Sequence, residues 1–117
     1  MRVLAVALLG ATCSDDLYEA RVRADVEALT KIHGIGQSQA FARVVAHGRR
    51  AIPHIEAALH DASVEGRLNL IAALRRIGDP EATPLLRHRA RYDEDERVRK
   101  EAQGTLERWR SETAHNP

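Results

Sequence analysis

The sequence predicts an all-α domain built as a solenoid of stacked antiparallel helix pairs. Apolar residues recur at three- and four-residue spacing through most of the chain, whereas no segment alternates polar and apolar residues over a useful length. A pattern of residues also returns after about 31 positions. Only 3% of the residues are aromatic although 44% are hydrophobic, so the core is expected to be aliphatic.

Composition excludes several classes of protein. The 18 basic and 17 acidic residues leave a net charge of +1, which argues against a strongly basic nucleic-acid binder or an acidic tail protein. The single cysteine excludes an intramolecular disulfide framework and a cysteine-based zinc site. No apolar run approaches the roughly 20 residues of a membrane span. We therefore expect a soluble protein.

Residues 1–13 allow two interpretations. They combine one arginine, a short apolar run and small residues before Cys13. As an apolar N-terminal helix, they would belong to a cytoplasmic protein without membrane contact. As a signal-like leader they would direct export, with Cys13 as the acylated residue of a lipoprotein. Thr12 stands where such signals prefer glycine or alanine. In both cases residues 14–113 form the solenoid domain and 114–117 a frayed tail.

Two helices are predicted between this segment and residue 48. The first begins with Ser14 as N-cap, ends at His33-Gly34 and carries an apolar stripe of Tyr18, Val22, Val26 and Leu29. The second runs from about Gln37 to Gly48, with an inward face of Phe41, Val44 and Val45.

Four more helices follow. Pro53 belongs in the first turn of a helix over residues 51–59, and Asp61 and Ser63 compete as the cap of the next, which ends before Gly78. Asp79-Pro80-Glu81 combines a cap, a first-turn proline and an acidic residue, which predicts another helix start. The last helix opens in the acidic cluster of residues 93–96 and continues through Trp109.

The repeat decides how these helices are arranged. Ala51-Ile52-Pro53 returns as Ala82-Thr83-Pro84, and the pair Asp61 and Arg67 returns 32 residues later as Asp93 and Arg99. Two helices in about 31 residues cannot bury both of their faces alone. Each pair is therefore expected to stack on its neighbour.

The stretch GRRAIPHIEAALHDASVEGRLNLIAALRRIGDPEATPLL resembles HEAT repeats, specifically the short variety named after phycobilisome lyases. Pro53, Asp61, Arg67 and Ile77-Gly78-Asp79-Pro80 match one full repeat of that family. The resemblance implies a right-handed solenoid of about three repeats. It also implies a structural ladder between neighbouring repeats, in which Asp61 and Asp93 would pair with Arg67 and Arg99.

No catalytic or metal-binding pattern is present in the sequence. The six histidines form no His-x-x-x-His or His-Glu motif, and no serine lies in a Gly-x-Ser-x-Gly elbow. The acidic row at residues 93–96 fits a helix N-terminus rather than a calcium loop. We therefore predict no enzymatic activity, no metal and no cofactor.

The function predicted from these observations is that of a protein–protein interaction module or scaffold, whose partner is another protein. Its exposed binding positions would come from the second helix of each repeat, namely Arg67, Asn69, Arg75, Arg76, Lys100, Gln103 and Glu107.

Three alternatives stay open. Arginines at 49–50, 75–76 and 87–91 could form a stripe that binds phosphate or nucleic acid, although interspersed glutamates and the low net charge count against it. The chain could form a homodimer through the ends of the array, near Trp109. It could also be a subunit of a HEAT-type lyase.

Overall fold

A computed structural model describes the backbone of residues 2–31 and 33–115 and the side chains of residues 15–31 and 33–114. These parts of the chain contain no strand. Their α-helices are α1 (Arg2–Lys31), α2 (Ile35–His47), α3 (Ile52–Asp61), α4 (Val64–Ile77), α5 (Thr83–Tyr92) and α6 (Glu96–His115). Short 3₁₀ turns at Gly48–Ala51 and Pro80–Ala82 lead into α3 and α5.

The first helix differs from the sequence prediction. Ser14 was expected to cap a separate helix, but α1 continues through it from Arg2 to Lys31. Alanine and leucine, which dominate residues 4–9, are among the strongest helix formers, and no proline interrupts the segment. A cap residue favours a helix start without forcing one. The side chain of Cys13, on which the lipoprotein interpretation depends, lies outside the described residues.

Local capping explains where α4 begins and ends. The Ser63 hydroxyl oxygen accepts a hydrogen bond from the Gly66 backbone N–H at 3.1 Å, so Ser63 and not Asp61 caps this helix. Gly78 adopts φ 69°, a left-handed conformation that glycine takes without steric cost, and its N–H donates to the Leu74 carbonyl. These caps fix the length of α4 and the direction in which the chain leaves it.

The helices pack as successive pairs, α1 with α2, α3 with α4, and α5 with α6. Helix α4 lies at the centre, because it also packs against α1, α2 and α6. Its N-terminus approaches α1 so closely that a Cβ atom at Gly66 would lie 3.3 Å from the Thr30 Cβ atom. The buried core is aliphatic, as expected, and its largest fully buried side chains are Leu29, Ile55, Leu59, Leu70, Ile71, Leu74 and Leu86.

Equivalent residues of the second and third pairs make equivalent contacts. The Arg67 Nη1 atom donates to the Ala62 carbonyl at 2.7 Å, and the Arg99 Nη1 atom donates to the Glu94 carbonyl at 3.1 Å. Each contact spans five residues at the start of the second helix of its pair. The prediction of an all-α solenoid is confirmed. Within the described residues, no helix combines the length and apolar character needed to cross a membrane.

Candidate functional site

A buried carboxylate joins the second and third helix pairs. The Asp93 side chain, between α5 and α6, is fully buried, and Arg67 of α4 approaches it with two nitrogens. Arg67 Nε lies 3.1 Å from Asp93 Oδ2, and Arg67 Nη2 lies 3.2 Å from Oδ1. Arg89 Nη1 donates to Oδ2 at 3.1 Å, and the Asp95 backbone N–H donates to Oδ1 at 2.9 Å. We call Asp93, Arg67 and Arg89 the Asp93 cluster.

Opposing effects act on the pKa of Asp93. Burial alone raises the pKa because it disfavours the charged carboxylate. The hydrogen bonds from the Asp95 backbone, Arg89 and Arg67 lower it, and together they outweigh burial. The pKa of Asp93 is therefore lowered from its ordinary value, and the carboxylate stays ionised at neutral pH.

The four residues of the predicted ladder make one side-chain contact between neighbouring repeats. Arg67 contacts Asp93 of the following repeat, whereas Asp61 is exposed and forms no ion pair with the described residues. Arg99 donates to the backbone carbonyls of Asp93 and Glu94. The structure thus has one aspartate–arginine contact between neighbouring repeats, Arg67–Asp93, and no Asp61–Arg67 or Asp93–Arg99 side-chain ion pair among the described residues. The Arg67 side chain reaches Asp93 in the link between α5 and α6 while its Nη1 atom also donates to the Ala62 carbonyl of its own turn.

A groove lies between the ends of α2, α4, α5 and α6. Its volume is about 1070 Å³. Phe41, Ala72, Leu106 and Trp109 supply its apolar lining. Its cationic lining consists of Arg75, Arg76, Arg87, Arg108 and Arg110, and its carboxylate is Glu112. We call this surface the arginine groove.

The guanidinium groups of the arginine groove form no ion pair with Glu112 or with any other described carboxylate. None of its five arginines forms an ion pair or a hydrogen bond with the described residues. Arg75 and Arg76 occupy the last turn of α4, where a positive charge favours the helix dipole. That effect does not account for Arg87, Arg108 and Arg110, which come from α5 and α6.

The predicted partner-binding residues do not form a single surface. Arg75 and Arg76 line the arginine groove. Arg67 is only 14% exposed and is bound to Asp93, and Asn69 is part-buried and donates to the Leu29 carbonyl at 3.4 Å. The prediction that both face outward is wrong, because each contacts a neighbouring repeat.

The other three predicted partner-binding residues line a separate depression of about 350 Å³ on α5 and α6. They are Lys100, Gln103 and Glu107. Lys100 Nζ lies 3.3 Å from a Glu96 carboxylate oxygen, and the Gln103 amide donates to Glu107 at the same distance. Their polar groups are thus occupied within α6.

The alternative of an arginine stripe placed Arg75, Arg76 and Arg87 on one surface, and all three line the groove. Sequence reasoning missed the other members, namely Arg108, Arg110, Trp109 and Phe41. Trp109 was predicted to point inward and is half-buried. The available signal was that the second helices of both repeats end with arginines, in Arg75-Arg76 and in Arg108-Trp109-Arg110. Spacing along the chain does not show that α2 and α5 bring further side chains to these ends.

A second polar network holds α2 against α1. His47 Nε2 lies 2.7 Å from Asp25 Oδ2, and the Tyr18 hydroxyl lies 3.3 Å from His47 Nδ1. Arg43 Nε donates to the other Asp25 oxygen at 3.1 Å, and the Arg50 guanidinium stacks 4.2 Å from the centre of the Tyr18 ring. His47 is the last residue of α2. It also bridges two helices.

Among the residues whose side chains are described, no group of three or more histidine, cysteine, aspartate or glutamate side chains is placed to hold a metal ion. The HEAT repeat fold is typically non-catalytic.

The comparisons with known proteins agree with the stacked helix pairs. The family model described as HEAT repeats matches residues 28–107, which is more than half of the chain. No curated protein and no solved structure matched the chain. The narrower resemblance to repeats named after phycobilisome lyases stays a prediction. HEAT repeats are commonly protein-interaction scaffolds. With paired helices, a central α4 and a family match that runs from the end of α1 into α6, the chain belongs to the HEAT-repeat family.

Proposed function

We propose that this chain is a non-catalytic protein-interaction module that binds its partner through the arginine groove. One observation carries the proposal. Five arginines surround a partly apolar lining, and none of them has a carboxylate partner among the described residues.

The distribution of ion pairs supports this surface over the others. Elsewhere in the described chain, Arg43, Arg49, Arg67, Arg89 and Arg97 each lie within 4 Å of a carboxylate. The other described arginines outside the groove have no such partner, but none of them lines this surface; they are Arg21, Arg23, Arg50, Arg91 and Arg99. The groove therefore gathers around one surface five arginines that no described carboxylate approaches to within 4 Å. Arginine and tryptophan are also the residue types most enriched among those that dominate binding energy at protein interfaces.

The shape of the groove favours a protein segment over a small molecule. It is wide open to solvent, whereas small-molecule sites typically enclose roughly 70–90% of the ligand surface. Its walls come from four helices, whose backbones are held by the aliphatic core. A partner would thus meet a preformed surface and would pay little to order it.

Site-specific photo-crosslinking tests the proposal. A photoreactive amino acid replaces Ala72 in the groove or, as a control, Gln103 in the separate depression, and crosslinked proteins from the native host are identified by mass spectrometry. We expect a partner crosslinked from position 72 and absent from position 103.

Paired variants then test whether the arginines hold that partner. R75A/R76A should abolish the crosslink, whereas R21A/R23A, which removes two exposed arginines from α1, should preserve it. Equal crosslinking in the two double variants would contradict the proposal.

A further inference from the structure

We infer that the occupant of the arginine groove is an acidic protein segment that carries one bulky apolar side chain. This inference rests on the proposed function and adds the chemistry of the partner. Two independent features of the groove support it, its charge and its apolar lining.

The charge of the groove selects an anionic occupant. Five guanidinium groups face one carboxylate, that of Glu112, whereas the whole chain has a net charge of only +1. The positive charge is therefore concentrated locally and is balanced elsewhere on the molecule. Guanidinium groups bind carboxylates with paired hydrogen bonds, which gives an acidic segment both attraction and orientation.

The apolar lining selects a protein segment over a phosphate chain. Trp109, Phe41 and Leu106 are all half-buried, so each offers apolar surface that a bulky side chain could cover. The phosphate backbone of a duplex has no apolar group to place there, and the oligonucleotide titration described below tests whether the bases of a single strand stack on Trp109 and Phe41 instead. Glu112 would also repel such a backbone, and the low net charge of the chain gives little long-range attraction to nucleic acid.

Trp109 provides a direct measurement, because it is the only tryptophan of the chain. Its fluorescence is followed while the full-length protein is titrated with a short synthetic peptide of glutamates around a central leucine. One matched peptide has glutamine in place of every glutamate, and another has serine in place of the leucine. A single-stranded oligonucleotide and inorganic phosphate are titrated in parallel.

We expect the acidic peptide to shift the Trp109 emission. It should bind at least about tenfold more tightly than the glutamine peptide, because glutamine cannot form the ion pairs that each glutamate forms with an arginine. The serine peptide should bind several-fold more weakly. Added salt should weaken the binding of the acidic peptide because salt screens exposed charges. R75A/R76A should lose most of the affinity, whereas R21A/R23A should retain it, with circular dichroism confirming that both are folded.

Several results would overturn the inference. Equal binding of the glutamine peptide would show that the groove does not select charge, and equal binding of the serine peptide would show that the apolar lining is not used. Tighter binding of the oligonucleotide, sensitive to R75A/R76A, would assign the groove to nucleic acid. If photo-crosslinking finds a partner that contacts the groove through a neutral segment, the inference fails while the proposed function stands. If neither a partner nor the acidic peptide binds, both fail.

Discussion

The Asp93 cluster and the arginine groove draw on the same helices but differ in what faces their arginines. Helix α4 supplies Arg67 to the cluster and Arg75 and Arg76 to the groove, and α5 supplies Arg89 and Arg87 in the same way. In the cluster a fully buried carboxylate meets two guanidinium groups. In the groove only Glu112 is present, and no arginine is paired with it.

This difference shows how one residue type takes two roles in a single repeat array. The arginine side chains of the cluster are 14% exposed and are hydrogen-bonded to Asp93, so their removal would leave a buried charge without a partner. The groove arginines are solvated, so their hydrogen-bonding groups remain available to another molecule. Stability should therefore depend on the first set, and binding on the second.

The largest effect is expected for Asp93→Ala. The substitution leaves Arg67 and Arg89 without their shared carboxylate and removes the acceptor of the Asp95 N–H. Breaking a buried ion pair from one side costs about 3–5 kcal/mol. We expect the free energy of unfolding to fall by that amount, as measured by urea denaturation followed by circular dichroism.

Asp61→Ala is the matched control, because Asp61 holds the same position in the preceding repeat but is exposed. Exposed substitutions of this kind usually change the free energy of unfolding by less than about 0.5 kcal/mol. Similar losses for D61A and D93A would show that the burial of Asp93 is not what distinguishes it.

A pH dependence should follow from the same carboxylate. Because the pKa of Asp93 is lowered in the folded state, its contribution to stability is fully present above its unfolded value of about 3.9 and is lost as the pH falls through the folded value. We expect the free energy of unfolding to fall between pH 6 and pH 3. The pKa values of Asp79 and Asp95 are lowered as well, so they add to this fall.

Asp93→Asn isolates the share of this fall in the free energy of unfolding that comes from Asp93. Asparagine cannot ionise, but its carbonyl oxygen can still accept the Asp95 N–H. Urea denaturation at both pH values should therefore show a smaller fall for D93N than for the native sequence. An unchanged fall would assign the acid sensitivity to other carboxylates.

Sequence periodicity predicted the helix pairs and most of their ends, because each depends on local chemistry. Ser63, Gly78 and Asp79 act through hydrogen bonds to residues no more than four positions away. The exception is Ser14, where helix propensity on both sides outweighed a cap signal. The repeat pattern also indicated stacking correctly, since only stacked neighbours bury the second face of each helix.

The candidate surface was predicted only in part. Arg75 and Arg76 were identified because they are polar residues on an outward part of α4. Arg67 belongs to the same helix and the same residue type, yet it faces Asp93, which lies 26 residues further along the chain. Which arginine meets a buried carboxylate depends on how α5 and α6 pack on α4, and that packing is not encoded in spacing within one repeat.

A smaller effect is expected for Arg67→Lys. Lysine keeps the positive charge but cannot reach both Asp93 oxygens and the Ala62 carbonyl at once. Loss of one hydrogen bond to a charged group costs about 1.5 kcal/mol at least. Urea denaturation should show that loss for R67K and almost none for R75K, whose guanidinium group is unpaired. Equal stability of the two variants would mean that the bidentate geometry contributes nothing.

The smallest effect on stability is expected for R75Q/R76Q. Loss of two cations from the last turn of α4 removes a favourable interaction with the helix dipole, worth about 0.3–1 kcal/mol per charge at low salt. It also relieves repulsion from Arg87, Arg108 and Arg110, which line the same groove without carboxylate partners. The two effects oppose each other, and both are screened by salt. Urea denaturation at low and high salt should therefore find R75Q/R76Q within about 1 kcal/mol of the native sequence, with the difference shrinking as salt is added. A larger loss that salt does not reduce would place these arginines with Arg67, as part of the fold.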